Sequence, residues 1–201
     1  MSKKAFSLIT MVLLFMGASF AQEQKSEISI QGTGFFTKDA EGRGLVQQGT
    51  QTGGVLAGYR YHFSRWFAAE ANYGYARNTQ KYFVSGASAR IQANVHEITG
   101  ALVVTAPAYR DKFHAFALAG GGGLIFDPTG NVGGSFPGAT TETKGAFLYG
   151  GGVDYDLVKR VALRVEYRGL VYKAPSFNVA GLDTDQITHV AQPSAGLVFR
   201  F

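Results

Sequence analysis

No cysteine occurs in the 201 residues, which removes disulfide frameworks, cysteine-held metals and a lipidated cysteine from consideration. Charge is scarce as well: 16% of residues are Asp, Glu, Lys or Arg, against about 25% in an average domain. Disorder needs low hydrophobicity and high net charge, and 46% hydrophobic content argues against it. Apart from Ala5 to Gly17, long apolar runs are missing, and that run falls short of the roughly 18 residues that a spanning helix needs. Lysine and arginine do not cluster beyond the N-terminus, so a nucleic-acid partner is not expected. The glycine clusters contain no GxxxxGK phosphate-binding pattern.

What is abundant is glycine, at 27 residues, and aromatic side chains, at 13%. The length suits one all-β domain, because barrels of this size often form a single unit. Lys3 and Lys4, the apolar run to Gly17 and the small-residue site Ser19-Phe20-Ala21 read as a secretory signal over residues 1–21, cleaved after Ala21. The domain proper then covers residues 22–201. Losing Lys3 and Lys4 with no acid leaves 17 basic and 14 acidic residues, a net of +3, so the leader supplies part of the basic character.

The rest repeats one pattern. From Val161 to Tyr167 the odd positions are apolar, while Arg164, Glu166 and Arg168 share the other face. Period two sends successive side chains to opposite faces of a strand. The same reading predicts eight strands, near 26–36, 52–63, 67–76, 91–106, 113–126, 145–156, 161–172 and 188–201. Connections alternate between long (37–51, 77–90, 127–144, 173–187) and short (64–66, 107–112, 157–160). Four long loops on one rim and short turns on the other describe an all-β, eight-stranded antiparallel up-and-down transmembrane β-barrel, laid out as in the bacterial outer membrane.

Lipid outside would place the apolar faces outward: Val55, Tyr59 and Tyr61; Phe67, Tyr73 and Tyr75; Phe147, Tyr149 and Val153. By parity the lumen then holds Arg60, Arg164, Arg168 and Arg200 against Glu70, Glu97, Asp154 and Glu166. Four charges of each sign predict a neutralised polar plug, because eight strands leave an interior that side chains nearly fill. A rearranging ion pair that gates small solutes is the alternative to simple filling. The strand from Phe113 to Phe126, with Gly120 to Gly123, has no face that parity assigns.

The chain ends with Ala195, Leu197, Phe199 and Phe201 alternating with Gly196, Val198 and Arg200. This resembles the closing strand of bacterial outer-membrane proteins, which implies that Phe199 and Phe201 form an assembly signal for the barrel assembly machinery. Tyr59-Arg60-Tyr61-His62-Phe63-Ser64-Arg65-Trp66-Phe67-Ala68-Ala69-Glu70 resembles a hairpin of the small eight-stranded porin-like family that includes the OmpA transmembrane domain and OmpX. The resemblance implies the fold far better than an activity.

His62-Phe63-Ser64 is superficially similar to the His-x-Ser of lipid A deacylases, but it abuts a short turn, on the side away from lipid A. His96-Glu97 lacks a second histidine at Gly100, and His62, His96, His114 and His189 fall on separate strands, each expected to be solvated or to fill the lumen. No catalytic residue, cofactor or metal ligand is therefore expected. The leading expectation is a structural or surface-interaction barrel, a monomer in outer-membrane lipid that meets a surface ligand through its loops. A narrow pore for small solutes is the alternative, and a lipid-modifying enzyme comes third. A soluble lipocalin-like barrel would not account for the C-terminal aromatic pattern. Deleting Phe201 should reduce the yield of barrel in the outer membrane, measured by fractionation, and intact mass of the exported protein should begin at Gln22.

Overall fold

The computed structural model describes residues 25–38, 40–42, 45–84, 87–110, 112–129, 140–177 and 186–201. The expected leader therefore lies outside the described residues. Among the described residues there are ten strands: β1 (Ser26–Thr37), β2 (Ala40–Gly42), β3 (Leu45–Gly49), β4 (Thr52–His62), β5 (Phe67–Val84), β6 (Ala87–Thr105), β7 (Phe113–Pro128), β8 (Glu142–Val158), β9 (Val161–Lys173) and β10 (Ile187–Arg200). Eight of them form the wall, each antiparallel to its sequence neighbour, and β1 pairs with β10 to close it.

The stagger of this closure can be followed around the sheet. Directly opposed residues run Glu27, Arg60, Glu70, Ala101, Gly120, Leu148, Leu170 and Val190, and the path returns to β1 at Thr37, ten residues beyond its start. Stagger and strand number together set tilt and radius, with typical tilts of about 35–45°. The resulting lumen is narrow enough for a long side chain from one wall to touch the opposite one.

Faces sort as lipid would require. Ile30, Val55, Ile98, Leu102, Val153 and Val165 are exposed on the outside. Phe63, Phe67, Phe113 and Phe199 lie toward the short turns, and Tyr73, Phe147 and Tyr149 stand higher on the wall. On β5 the outward apolar stretch from Phe67 to Tyr75 spans nine residues, at the lower end of the roughly 9–11 that cross a bilayer.

β7 answers the assignment that parity left open. Phe116, Leu118, Leu124 and Phe126 are buried in the lumen, while Ala115, Ala117 and Ala119 are exposed. Its inward Gly120 and Gly122 are required by geometry: a Cβ would come within 2.0 Å of Gly100 O at the first and 2.1 Å of Ile98 O at the second. The coiled sheet brings β6 backbone into the space that a side chain would need.

Two expected loops are largely strand. β5 and β6 remain paired from Phe67↔Val104 up to Val84↔Ala87, so residues 77–84 and 87–90 belong to a continuous ladder. Within 37–51, β2 and β3 form a hairpin, and β3 pairs with β5 through Val46↔Phe83 to Gly49↔Gln80. Above the apolar band the outward positions of β5 are Arg77, Thr79 and Lys81, so the apolar alternation lapses although the backbone ladder persists. Of the other two loops, residues 130–139 and 178–185 lie outside the described residues.

The outward wall yields a depth test. Arg in place of Leu102 or Val165 should cost about 2–4 kcal/mol of folding stability in lipid, whereas Val158→Arg beside the β8–β9 turn should cost about 0–1 kcal/mol. Denaturant titration in vesicles checks the contrast.

Candidate functional site

The register builds the lower lumen before any side chain is considered. Arg200, Glu27, Arg60 and Glu70 are consecutive cross-strand partners on β10, β1, β4 and β5, an alternating row of charge. Opposite charges in such pairs stabilise a sheet. Arg60 Nε donates to Glu70 Oε2 at 2.6 Å, and Arg200 Nε to Glu27 Oε1 at 2.9 Å. From β9, Arg164 forms a fork on Asp154, with Nε and Nη2 each at 2.7 Å from a carboxylate oxygen. Its Nη2 also donates across the lumen to Glu27 Oε2 at 3.0 Å, and Nη1 stands 3.7 Å from Glu70 Oε2. Arg200 completes the group through Asp156 and Asp154. Phe116 lies beneath two cations, its ring centre 4.3 Å from Arg60 Cζ and 4.9 Å from Arg164 Cζ.

A second group sits higher. Arg168 Nη2 donates to Glu97 Oε1 at 2.7 Å and to Thr99 Oγ1 at 2.8 Å, while Gln192 Nε2 donates to Glu97 Oε2 at 2.8 Å. Glu166 accepts from Gln31 Nε2 at 3.2 Å through Oε2, and its Oε1 stands 3.8 Å from Arg168 Nε. Those last two atoms have no hydrogen-bond partner among the described residues, nor has Arg168 Nη1 or Gln192 Oε1.

All eight predicted lumen residues thus sit in these two groups, but two further carboxylates join them. Glu27 touches Arg60, Arg164, Arg200 and His62, and Asp156 touches Arg200 and His114. Six carboxylates against four guanidinium groups replace the expected neutral balance among the described residues. Both were legible: Glu27, Ser29, Gln31 and Thr33 alternate with Ile28 and Ile30, and Asp156 shares the parity of Asp154. His62 Nε2 stands 3.2 Å from Glu27, and His114 Nε2 3.0 Å from Asp156, so each histidine faces one of the two added acids at the short-turn end. His96 and His189 lie on the outer wall against Tyr73 and Tyr149, in exposed contacts with ring nitrogens 2.8 and 2.9 Å from the phenol oxygens. No three His, Asp or Glu side chains gather to hold a metal among the described residues.

The upper lumen departs from the expected polar plug. Phe35, Leu124, Phe126, Leu148, Leu170 and Phe177 are all buried there, forming an apolar stopper above the ions. Phe177 comes from the segment after β9, packs edge-on against Phe126 and carries a left-handed φ of 53°. That conformation is uncommon for a bulky residue. It is held by Glu142, whose Oε2 accepts from the backbone N–H of Ser176 and of Phe177 at 2.7 Å each. Glu142 lies loopward of Phe147, outside the apolar band. Partial burial would raise its carboxyl, but the hydrogen bond from Lys144 and the two backbone N–H groups outweigh that and hold it below the ordinary range.

Residues 7–201 match the family described as outer membrane protein beta-barrel domain. The chain belongs to this outer-membrane barrel family. No curated protein matches the barrel in sequence. Its fold is similar to that of OprG from Pseudomonas aeruginosa, at TM-score 0.62 and 12% identity over 90% of this chain and 97% of that one. Neisserial surface protein A is also similar, at TM-score 0.62 and 12% identity over 88% and 97%. Ail, the attachment invasion locus protein of Yersinia pestis, gives 0.51 and 18% over 90% and 100%. Such identities carry the fold alone. The barrel resides in the bacterial outer membrane.

Removing one member of the buried ionic row strands its partner. Glu70→Ala should therefore destabilise the barrel by about 3–5 kcal/mol, and the double change Arg60→Met with Glu70→Leu by clearly less, in urea titrations of the refolded protein. At the upper rim, Glu142→Gln should speed amide exchange at Ser176 and Phe177 at least about tenfold. Because the folded carboxyl titrates below its unfolded value, the latch should protect these amides fully above about pH 4.5 and lose protection as pH falls through the lower folded value.

Proposed function

We propose that this barrel is a closed-lumen scaffold that presents structured surface above the outer membrane for contact with the cell's environment. The observation that carries this reading is the double seal. Arg164 and Arg168 among the ions, and Phe35, Phe126, Phe177, Leu124, Leu148 and Leu170 in the stopper, are each less than 2% exposed. A solute crossing the lumen would have to displace both an ionic and an apolar layer, whereas open aqueous channels belong to barrels of about 16 or more strands. The paired extension of β5 and β6, with β2 and β3 against it, offers a rigid surface on the loop side.

A narrow gated pore is the second reading, favoured by one feature. Among the described residues, Arg168 Nε and Glu166 Oε1 face each other without hydrogen-bond partners, so a rotation could move the guanidinium from Glu97 toward Glu166. Planar-bilayer recording separates the two. The refolded barrel should give no stepwise conductance, and trimming residues 79–92 to a tight turn should leave it embedded while abolishing whole-cell binding to host or abiotic surfaces. Steady single-channel steps in the intact protein would put the pore first.

A further inference from the structure

The lipid-facing side of the β5–β6 ladder changes character abruptly at the top of the apolar band. Below it stand Leu102 and Ile98; above it, in register, come Tyr75 opposite His96, Arg77 opposite Asn94, Thr79 opposite Gln92 and Lys81 opposite Arg90. From Ala71 to His96 the sequence contains no Asp or Glu at all, while Arg77, Lys81 and Arg90 all fall within it. The lowest rung is organised by hydrogen bonds. Asn94 Oδ1 accepts from both Tyr75 Oη and Arg77 Nε, at 3.1 Å each, and Tyr73 Oη lies 2.8 Å from His96 Nδ1. The His96 ring is placed against both phenols, with centroids 6.1 Å from Tyr73 and 5.4 Å from Tyr75. Asn94 thus holds the Nε edge of an exposed guanidinium, a group whose two terminal amino nitrogens suit a phosphate.

We propose that this strip, Arg77 and Lys81 with the Tyr73–Tyr75–His96 base, binds the phosphorylated headgroup of an outer-leaflet glycolipid of the lipid A class. The band's edge places acyl chains against Ile98 and Leu102 and headgroups at Arg77. From Arg77 to Lys81 is about 13 Å of strand, so the cations span a headgroup carrying phosphates at more than one height. Among the described side chains the β5–β6 face presents cations and no carboxylate to such a ligand, while the exposed Asp127 stands one strand away, opposite Asn94 on β7, and accepts from Thr141 Oγ1 at 2.8 Å. The tyrosines and the histidine bridge the two regions with an apolar body and a polar tip. This site lies on the outer wall and is independent of whether the lumen conducts.

The test uses the refolded protein in phosphatidylcholine vesicles doped with bis-phosphorylated lipid A, with monophosphoryl lipid A, or with phosphatidylglycerol at matched charge, followed by native mass spectrometry of co-purified lipid. The bis-phosphorylated form should be retained at least about tenfold over phosphatidylglycerol, with the monophosphoryl form between them. R77Q/K81Q should lose that preference about tenfold while its heat-modifiable folded fraction in pure phosphatidylcholine stays unchanged. Should that variant fold poorly, Asn94→Ala, which frees the Arg77 guanidinium without removing charge, should still lower retention severalfold. Equal retention of lipid A and phosphatidylglycerol would reduce the strip to diffuse attraction and overturn the proposal. Undiminished retention by the charge-removed variant would do the same. Displacement of lipid A by millimolar inorganic phosphate would assign the strip to a free anion instead.

Discussion

Hydrocarbon offers no partner to a peptide N–H or C=O, and the rest of this molecule follows from that. The wall cannot leave an edge in lipid, so β1 must meet β10, and it does so with a stagger of ten residues. Closing so few strands at that stagger leaves a lumen only a few side chains across. Arg164 on β9 can then reach Glu27 on β1, and Arg168 can reach Glu97 on β6. The ionic core is a consequence of closure as much as of composition.

Charge inside such a wall has to be compensated within a few ångströms, because burial of an unpaired ion is far more costly than burial of a pair. The lower lumen achieves this by sharing. Glu27 serves three arginines and a histidine, and Arg164 serves three carboxylates. A shared network resists single rearrangements, since moving one member unsettles several others. The Arg168 group is looser, with two nitrogens and a carboxylate oxygen left over, which makes it the part of the lumen most able to change partners.

The fold was legible because lipid imposes one rule on every strand: large apolar side chains outward, polar ones inward. Val55, Tyr73, Val153 and Val165 obey it, and so do Arg60, Glu70 and Asp154. β7 could not be read because it inverts the rule, with alanines outside and Phe116, Leu118, Leu124 and Phe126 inside. Phe116 is needed beneath two arginines, and Leu124 and Phe126 belong to the stopper, needs set by other strands and invisible in β7 alone. The stopper escaped for the same reason: Phe35, Leu148 and Leu170 each occupy an otherwise polar face and gain meaning only when closure brings them together. Phe177 lay in a presumed loop, and no periodicity marks a residue held by a carboxylate 35 positions away. Above the lipid the rule lapses, which is why the β5–β6 ladder read as loop.

That ladder carries an evolutionary constraint that an ordinary surface loop does not. A loop tolerates insertions and deletions of any length, but a strand pair with period two does not. Adding a single residue between Ala76 and Arg77 would turn Arg77 and Lys81 to the opposite face and slip every rung up to Val84↔Ala87. Variation in this segment is therefore confined to replacements within a face and to length changes that add or remove matched pairs, so its sequence can drift quickly while its geometry stays in phase with the membrane below.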